Sequence, residues 1–215
     1  MANTNKLIWV FAAMLLVAGT LSGIAWYNDR ENSLTEAVVV YPEPRPLRDI
    51  VLRDADDEAF TERRFAGSWS LVFVGYTFCP DICPTTLADL ARIYPELKQL
   101  SDRVQVVFVS VDPGRDTPER LKAYTAYFHP EFVAVTAGHE ALMPAVQQLG
   151  LIYGIHERET SDYLVDHSAS IALVNPEGRL HASFRPGFDE QSQVPMVNGD
   201  ELVRDFARIL KHWER

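Results

Sequence analysis

Residues 71–86 read LVFVGYTFCPDICPTT, and this stretch decides the fold class. Its first part is apolar on both faces, which is typical of a strand buried inside a sheet. Cys79 and Cys83 follow at once, in a segment that leads into a helical pattern. Open α/β sheets bind ligands beyond the carboxyl ends of such strands. The sequence therefore predicts a functional site at the two cysteines.

A second buried strand is predicted at residues 104–111, where apolar residues again run without alternation. The segment between the two strands carries one helical stripe, formed by Leu87, Leu90, Tyr94 and Leu97. Pro95 is expected to kink this helix or to end it early. Strand, helix and strand together predict a right-handed parallel crossover.

The remaining pattern adds helices and strands on both sides of that unit. A second helix is expected near Pro118, capped by Asp116 or Thr117, and a strand is expected at residues 132–135. A hairpin is predicted from residues 170–174 and 180–184 around the turn at residues 175–178. The last helix presents an apolar face made of Leu202, Val203, Phe206, Ile209, Leu210 and Trp213. This order predicts an α/β fold with a mixed, mostly parallel central sheet, helices on both faces and an additional hairpin.

Length and composition narrow the class of protein. A chain of 215 residues with 47% hydrophobic and 23% charged residues fits one water-soluble domain plus an appendage, and excludes a disordered or polytopic membrane protein. Thirty acidic against twenty basic residues give a formal net charge of -10. Because such a field repels phosphate backbones, nucleic acid is not expected as a partner.

The appendage is N-terminal. Residues 7–27 carry no charge and lie between Lys6 and Asp29, and a bilayer-spanning helix needs about 20 apolar residues. The alternative is a cleavable signal peptide, but residues 18–20 and 21–23 match a small-x-small cleavage site poorly. We therefore expect one N-terminal transmembrane helix at residues 7–27, after a cytoplasmic stub of residues 1–6.

Residues 28–46 are polar and acidic and contain Pro42, Pro44 and Pro46. Alternating prolines of this kind indicate an extended, semi-rigid tether. The folded domain is accordingly predicted to run over residues 47–215.

The two cysteines are the only ones in the chain, too few for a disulfide framework. Pro84 suits the first position of a helix, which makes Cys83 its expected N-cap and leaves Cys79 in the loop above. A thiol beside unpaired amide groups at a helix N-terminus should have a lowered pKa. Both sulfurs can face one point, which either holds a metal ion or joins them in a disulfide.

The donor types favour a soft metal ion. Two thiolates with few other ligands suit Cu(I), whereas a closed zinc site normally needs four protein ligands and no second cysteine pair exists. A third ligand must come from elsewhere in the chain, and His167 is a candidate because it lies in a polar turn just before the strand at residues 170–174. Taken alone, a histidine in such a place is more often an ordinary surface or core residue. Asp166 beside it either orients the imidazole or stabilises the turn. No role is predicted for the other histidines, which are His129, His139, His156, His181 and His212.

Three separated segments closely resemble the Sco (SenC) family of membrane-anchored, thioredoxin-like copper proteins. They are residues 71–87, residues 109–118 with the sequence VSVDPGRDTP, and residues 165–168 with the sequence VDHS. The resemblance extends from the end of the tether to about Phe184, and it implies a thioredoxin-like fold with Cys79, Cys83 and His167 as copper ligands. It also implies an N-terminal anchor, with the domain in the bacterial periplasm or the mitochondrial intermembrane space. Because no Arg-rich, Ser-rich transit peptide follows Met1, the bacterial inner membrane is preferred.

Two functions remain open, and both use the same cysteines. One is a copper metallochaperone that delivers copper to the dinuclear copper centre of cytochrome c oxidase, with the copper-bearing subunit of that enzyme as partner. The other is a thiol:disulfide oxidoreductase acting on that subunit or on other exported proteins. A periplasmic copper donor or a thiol reductant is the expected upstream partner. The C-x-x-x-C spacing and the absence of proline in residues 166–170 favour metal delivery.

Two further segments carry weaker signals. Asp112 either faces a partner near the metal or only forms the turn that follows the second strand. Residues 185–200 match no motif, and the acidic loop within them is expected to be solvated.

Overall fold

The computed structural model describes residues 9, 11, 13–23, 33–155, 163–188 and 195–213. The strands are β1 (Val38–Pro46), β2 (Leu52–Asp54), β3 (Ala59–Phe60), β4 (Trp69–Gly75), β5 (Val104–Ser110), β6 (Val133–Thr136), β7 (Tyr153–Ile155), β8 (Val165–His167), β9 (Ile171–Val174) and β10 (Arg179–Phe184). The helices are α1 (Ile82–Leu100), α2 (Pro118–Phe128), α3 (His139–Gln148) and α4 (Gly199–Trp213), with a short 3-10 helix at Glu62–Phe65.

The two predicted apolar strands, β4 and β5, form the centre of an eight-stranded sheet with the order β1-β10-β9-β4-β5-β6-β2-β3. Every residue of β4 is buried. Because successive side chains of a strand point to opposite faces, both faces of the sheet are covered at this strand. The prediction of two buried central strands is confirmed.

The sheet is mixed, as predicted, but its antiparallel pairs outnumber the parallel ones, which corrects the prediction of a mostly parallel sheet. Within the part of the chain that the structure describes, only the pairs β4–β5 and β5–β6 are parallel, and the other pairs are antiparallel. A parallel pair needs a long crossover, and the helices α1 and α2 supply one for each of the two pairs. The short connections elsewhere make hairpins, including the predicted β9–β10 hairpin.

Helix α1 continues past Pro95 to Leu100, so the expectation that proline ends it early is wrong. Proline removes one hydrogen bond from the helix interior. Tyr94 and Leu97 are both buried on the packed side of the helix, and their burial holds the helical path on either side of the proline.

The predicted tether contains a strand of the sheet. Strand β1 pairs with β10 at the edge, so the folded unit includes residues before position 47. The pairing shifts register between Val40 and Arg45, the interval that holds Pro42 and Pro44. An edge strand tolerates proline, because a missing amide hydrogen facing away from the sheet breaks no ladder bond. Residues 28–32 of the predicted tether lie outside the described residues.

The predicted membrane span of residues 7–27 lies partly outside the described residues. Residues 9, 11 and 13–23 are described, and they are helical. No helix among the residues described is both long enough and apolar enough to cross a membrane.

Candidate metal centre

Strand β4 ends at Gly75, and the site begins there. The Sγ atom of Cys83 approaches this residue so closely that a Cβ at Gly75 would lie 2.7 Å from the sulfur and 2.8 Å from Cε2 of Phe108. Both distances are shorter than real Cβ contacts. Glycine at this position therefore allows the thiol of Cys83 to lie directly beneath the end of the strand, where it is fully buried.

Helix α1 begins earlier than predicted. Its first residue is Ile82 and its N-cap is Asp81, so Cys83 lies in the first helical turn and not at the cap. The first intrahelical bond runs from the amide of Thr85 to the carbonyl of Asp81. Amide groups before Thr85 have no acceptor within the helix. Pro84 therefore costs the helix no hydrogen bond, although it lies two residues further into the helix than predicted.

The structure brings the three predicted donors together. Nε2 of His167 lies 3.2 Å from Sγ of Cys83. The sulfur atoms of Cys79 and Cys83 and one ring nitrogen of His167 all lie within 4.8 Å of one another. Cys79 is half-buried while Cys83 is buried, and both are free thiols. The site is thus open on the side of Cys79.

His167 lies on the strand β8 and not in the polar turn predicted from the sequence. Strand β8 packs beside β4, so the imidazole reaches the cysteines that follow β4. Its Nδ1 atom lies 3.1 Å from the carbonyl oxygen of Ser168. The rings of Phe73 and Tyr76 contact it edge to face, at centroid distances of 5.9 and 6.0 Å. A backbone carbonyl and two aromatic rings thereby orient the imidazole so that Nε2 faces the sulfurs.

The two thiols differ in their electrostatics. Hydrogen bonds from the Cys83 and His167 side chains and from backbone amides lower the pKa of Cys79 to about 4, against the opposing effect of its burial. Burial, followed by the hydrogen bond to Cys79 and the negative charge of Cys79, raises the pKa of Cys83 far above its usual range. The prediction of a lowered pKa therefore holds for the loop thiol, while the helical thiol shifts the opposite way. At neutral pH the pair holds one thiolate and one thiol.

Asp116 is a residue of the site that sequence reasoning missed. Thr117 is the N-cap of α2 and accepts a bond from the amide of Arg120, which leaves Asp116 without a capping role. Its carboxylate is only 1% exposed. It accepts hydrogen bonds from the amide of Thr77 at 3.0 Å, from the Thr77 hydroxyl at 2.5 Å and from the Ser110 hydroxyl at 2.5 Å. Asp116 thus holds the first residue of the cysteine loop, and only the tertiary structure reveals it.

Asp112 forms the turn after β5 and is buried within the protein. Its carboxylate is 3% exposed and accepts hydrogen bonds from Nε of Arg115 at 2.5 Å and from the hydroxyl of Tyr163 at 2.6 Å. Its carbonyl accepts from the amides of Arg115 and Asp116, which closes the turn. These contacts support the interpretation of Asp112 as a residue that forms this turn.

The remaining described histidines lie apart from the donors. His129 contacts the ring of Tyr94 edge to face and His139 contacts the hydroxyl of Tyr153, while His181 lies against two tryptophans. His156 lies outside the described residues. Among the residues that the structure places, one group of His, Cys, Asp and Glu side chains has metal-binding geometry, and it consists of the two cysteines and His167.

Comparison with known proteins identifies relatives across this same region. The SCO1/SenC family model matches residues 47–198. An SCO2-like protein of Rickettsia typhi is 30% identical over 186 residues, covering 85% of this chain and 91% of that protein. The crystal structure of Arabidopsis thaliana ScoI with copper bound superimposes with a TM-score of 0.63 at 30% identity, over 79% of this chain and 98% of that one. Yeast Sco1 with copper bound gives a TM-score of 0.63 at 29% identity, over 76% of this chain and 89% of that one.

The match to the family model covers the strands β2 to β10, the cysteine loop, the turn at Asp112 and the strand of His167. The mixed α/β fold is accordingly the thioredoxin-like fold of the copper-bound Sco structures. Because the family model spans most of the folded part and a relative of nearly equal length is 30% identical, the chain belongs to the SCO1/SenC family.

Proposed function

We propose that this protein binds copper through Cys79, Cys83 and His167 and delivers it to the dinuclear copper centre of cytochrome c oxidase during assembly. One observation carries the proposal: two sulfurs and an imidazole nitrogen lie within 4.8 Å of one another at the carboxyl end of β4. The resemblance to the Sco family implies the recipient, and the upstream partner is a periplasmic copper donor or a thiol reductant.

The donor set fits Cu(I). Thiolate sulfur is a soft ligand that selects this ion, and a three-donor group suits it better than it suits structural zinc. Cys79 is already a thiolate at neutral pH, since its pKa is lowered to about 4. Cys83 keeps its proton until an ion arrives, so binding should release about one proton for each copper bound. The Arabidopsis and yeast relatives with copper bound support the same choice of metal.

Exposure of the site on one side suits a carrier that must give up its ion. Cys79 is half-buried and follows Phe78, which is 45% exposed, while Cys83 is fully buried beneath β4. An incoming ligand can therefore reach the metal beside Cys79. The proposal includes a membrane anchor at residues 7–27 in the bacterial inner membrane, with the domain in the periplasm, which the uncharged run supports.

A thiol:disulfide oxidoreductase is the second candidate, and the lowered pKa of Cys79 favours it as an attacking thiolate. The mixed disulfide between Cys79 and the substrate is resolved when the Cys83 thiolate attacks the sulfur of Cys79 and releases the substrate thiol. Burial raises the pKa of that thiol and leaves it protonated, which slows this step. The geometry consequently supports metal binding better than rapid disulfide exchange.

The direct test is metal analysis of the full chain, purified in detergent under reducing conditions after growth with copper. We expect one copper for each chain, with two sulfurs and one nitrogen around it by X-ray absorption. Replacement of either Cys79 or Cys83 by Ser should abolish tight Cu(I) binding, because one thiolate and an imidazole bind the ion more weakly. Bound zinc without copper would contradict the proposal.

His167→Ala separates the two candidates. Thiol–disulfide exchange needs only a thiolate, access and a leaving group, so this variant should lose copper affinity and largely keep its exchange rate with a model disulfide. The Cys83 side chain, which lowers the pKa of Cys79 more than His167 does, remains in place. Cells carrying it should assemble the oxidase poorly, with partial rescue by added copper. His139→Ala is the matched control, because that imidazole contacts Tyr153 and lies outside the donor group. Normal oxidase assembly by His167→Ala cells in copper-limited medium would rule out the chaperone function.

A further inference from the structure

The donors of the candidate metal site come from two segments that are distant in the chain. Cys79 lies in the loop after β4, and His167 ends the strand β8. We propose that the turn of residues 112–116, between β5 and α2, positions both segments. Asp116 holds the cysteine loop, and Asp112 with Arg115 holds the chain that leads to His167. The inference rests on the proposed function for what the site binds, and it adds which residues set its geometry.

The first arm of the turn is the carboxylate of Asp116. Three donors satisfy it, namely the amide and hydroxyl of Thr77 and the hydroxyl of Ser110. The carboxylate is almost completely buried, so breaking one of these bonds would leave a charged group without water to replace it. Thr77 lies two residues before Cys79, whose amide bonds to the carbonyl of Tyr76 in a tight turn. The position of the Cys79 sulfur therefore depends on Asp116.

The second arm is formed by Asp112 and Arg115. The hydroxyl of Tyr163 donates to Asp112 at 2.6 Å, and the guanidinium of Arg115 lies 3.5 Å from the centre of the Tyr163 ring. Tyr163 lies two residues before Val165, where the strand of His167 begins. This contact therefore fixes the chain at the point where it enters that strand.

Hydrogen bonds within the turn join Asp112 to Asp116. The amide of Asp116 donates to the carbonyl of Asp112, and the amide of Asp112 donates to the hydroxyl of Ser110. A single hydroxyl thus bonds to both ends of the turn, since Ser110 also donates to Asp116. A shift of either carboxylate would be transmitted to the other arm. The separation of the imidazole from the loop sulfur is therefore set by this turn.

Removal of one hydroxyl from each arm tests the proposal. We expect Tyr163→Phe to weaken Cu(I) binding by about tenfold, as is usual when a ligand loses its orienting partner. X-ray absorption should show the nitrogen ligand lost and the two sulfurs kept. Thr77→Val should weaken binding by a similar factor through the cysteine loop, while Thr77→Ser, which retains the hydroxyl, should restore it.

The matched controls lose comparable hydrogen bonds elsewhere. Tyr94→Phe removes a hydroxyl that bonds to the carbonyl of Val104, and Thr125→Val removes one that bonds to the carbonyl of Leu121. Both controls should lower the unfolding temperature and leave the copper ligands unchanged. Wild-type affinity and coordination in Tyr163→Phe and Thr77→Val would overturn the proposal. Equal losses in the controls would overturn it as well.

A copper-free measurement keeps this inference separate from the proposed function. If the wild-type protein binds no copper, the proposed function fails, and the positioning is then judged on the reduced protein alone. Thr77→Val should change the rate at which iodoacetamide modifies Cys79, and Tyr163→Phe should shift the ring proton resonances of His167. Unchanged values in both variants would refute the role of the turn, whatever the metal.

Discussion

At the scale of single residues, the site depends on the absence of a side chain at Gly75. A Cβ at Gly75 would lie 2.7 Å from the sulfur of Cys83 and 2.8 Å from the Phe108 ring, and relief of such overpacking costs about 1–3 kcal/mol. We expect Gly75→Ala to displace the Cys83 sulfur and to lower copper affinity, with only moderate destabilisation. Competition with a copper chelator and thermal unfolding measure the two effects. Gly187→Ala is the control, because nothing lies within 4 Å of its added Cβ, and wild-type affinity in Gly75→Ala would contradict the prediction.

The difference between the two thiols predicts selective alkylation. The pKa of Cys79 is lowered to about 4, so its reactive thiolate should persist as pH falls and be lost only as pH passes below that value. The raised pKa and full burial of Cys83 should protect it throughout. Mass spectrometry after brief treatment with iodoacetamide at about pH 6 should find Cys79 modified and Cys83 intact. Equal modification of both thiols would show that the assignment is wrong.

The sequence predicts which residues meet but not what holds them. Cys79 and Cys83 were recognisable from their donor type and spacing, and His167 from the resemblance to the Sco family, and the structure brings their atoms together. Their role as ligands stays a prediction until metal is measured. The buried carboxylate of Asp116 lies 39 positions from the Thr77 amide that it accepts from, so no local pattern indicates this contact. Ser168 follows His167 directly, but its contact with the imidazole is made by a backbone carbonyl, which every residue carries and which no sequence pattern marks.

At the scale of elements, length decides what could be predicted. Strands β4 and β5 and the helix α4 are long and strongly patterned, and they were predicted correctly. Strands β7 and β8 have only three residues each, which is too short for an alternation to be recognised. Strand β1 was not predicted, because its prolines are typical of a linker. They are tolerated in this strand because it lies at the edge of the sheet.

Helix α4 provides a test of stability that is independent of the site. Phe206 is fully buried and contacts Trp69 at the start of β4, whereas the cysteines follow the end of that strand. Phe206→Ala should lower the free energy of unfolding by about 3–5 kcal/mol through the cavity it leaves. Denaturant unfolding measures the loss. The exposed Arg204→Ala on the same helix is the control, and a shift of less than about 1 kcal/mol in Phe206→Ala would contradict the packing described here.

Copper affinity of folded Phe206→Ala should stay close to that of the wild type. The seven residues of β4 separate the replaced ring from the cysteine loop by about 3.3 Å for each residue. A large loss of affinity in protein shown to be folded would mean that the two ends of the sheet are coupled.

At the scale of the whole molecule, the anchor is the prediction that needs a cellular experiment. The uncharged run of residues 7–27 predicts that the protein stays in the membrane fraction after carbonate washing. A reporter fused after Arg215 should be active only if it functions outside the cytoplasm. A companion chain with two Lys substitutions, Leu15→Lys and Leu16→Lys, should lose membrane retention. Release of the unaltered chain into the soluble fraction would refute the anchor.

The sulfur of Cys83 and the nitrogen that contacts it belong to residues 84 positions apart in the chain. An unfolded chain cannot hold both at one point without closing a long loop, so an ion that needs both binds only the native state. Such an ion stabilises that state by mass action, by about 2.7 kcal/mol at a free concentration one hundred times its dissociation constant. Under the proposed function, the copper that the protein carries would therefore also stabilise its fold. Each delivery would return the carrier to a less stable form, and the local supply of copper would govern how long it survives proteolysis.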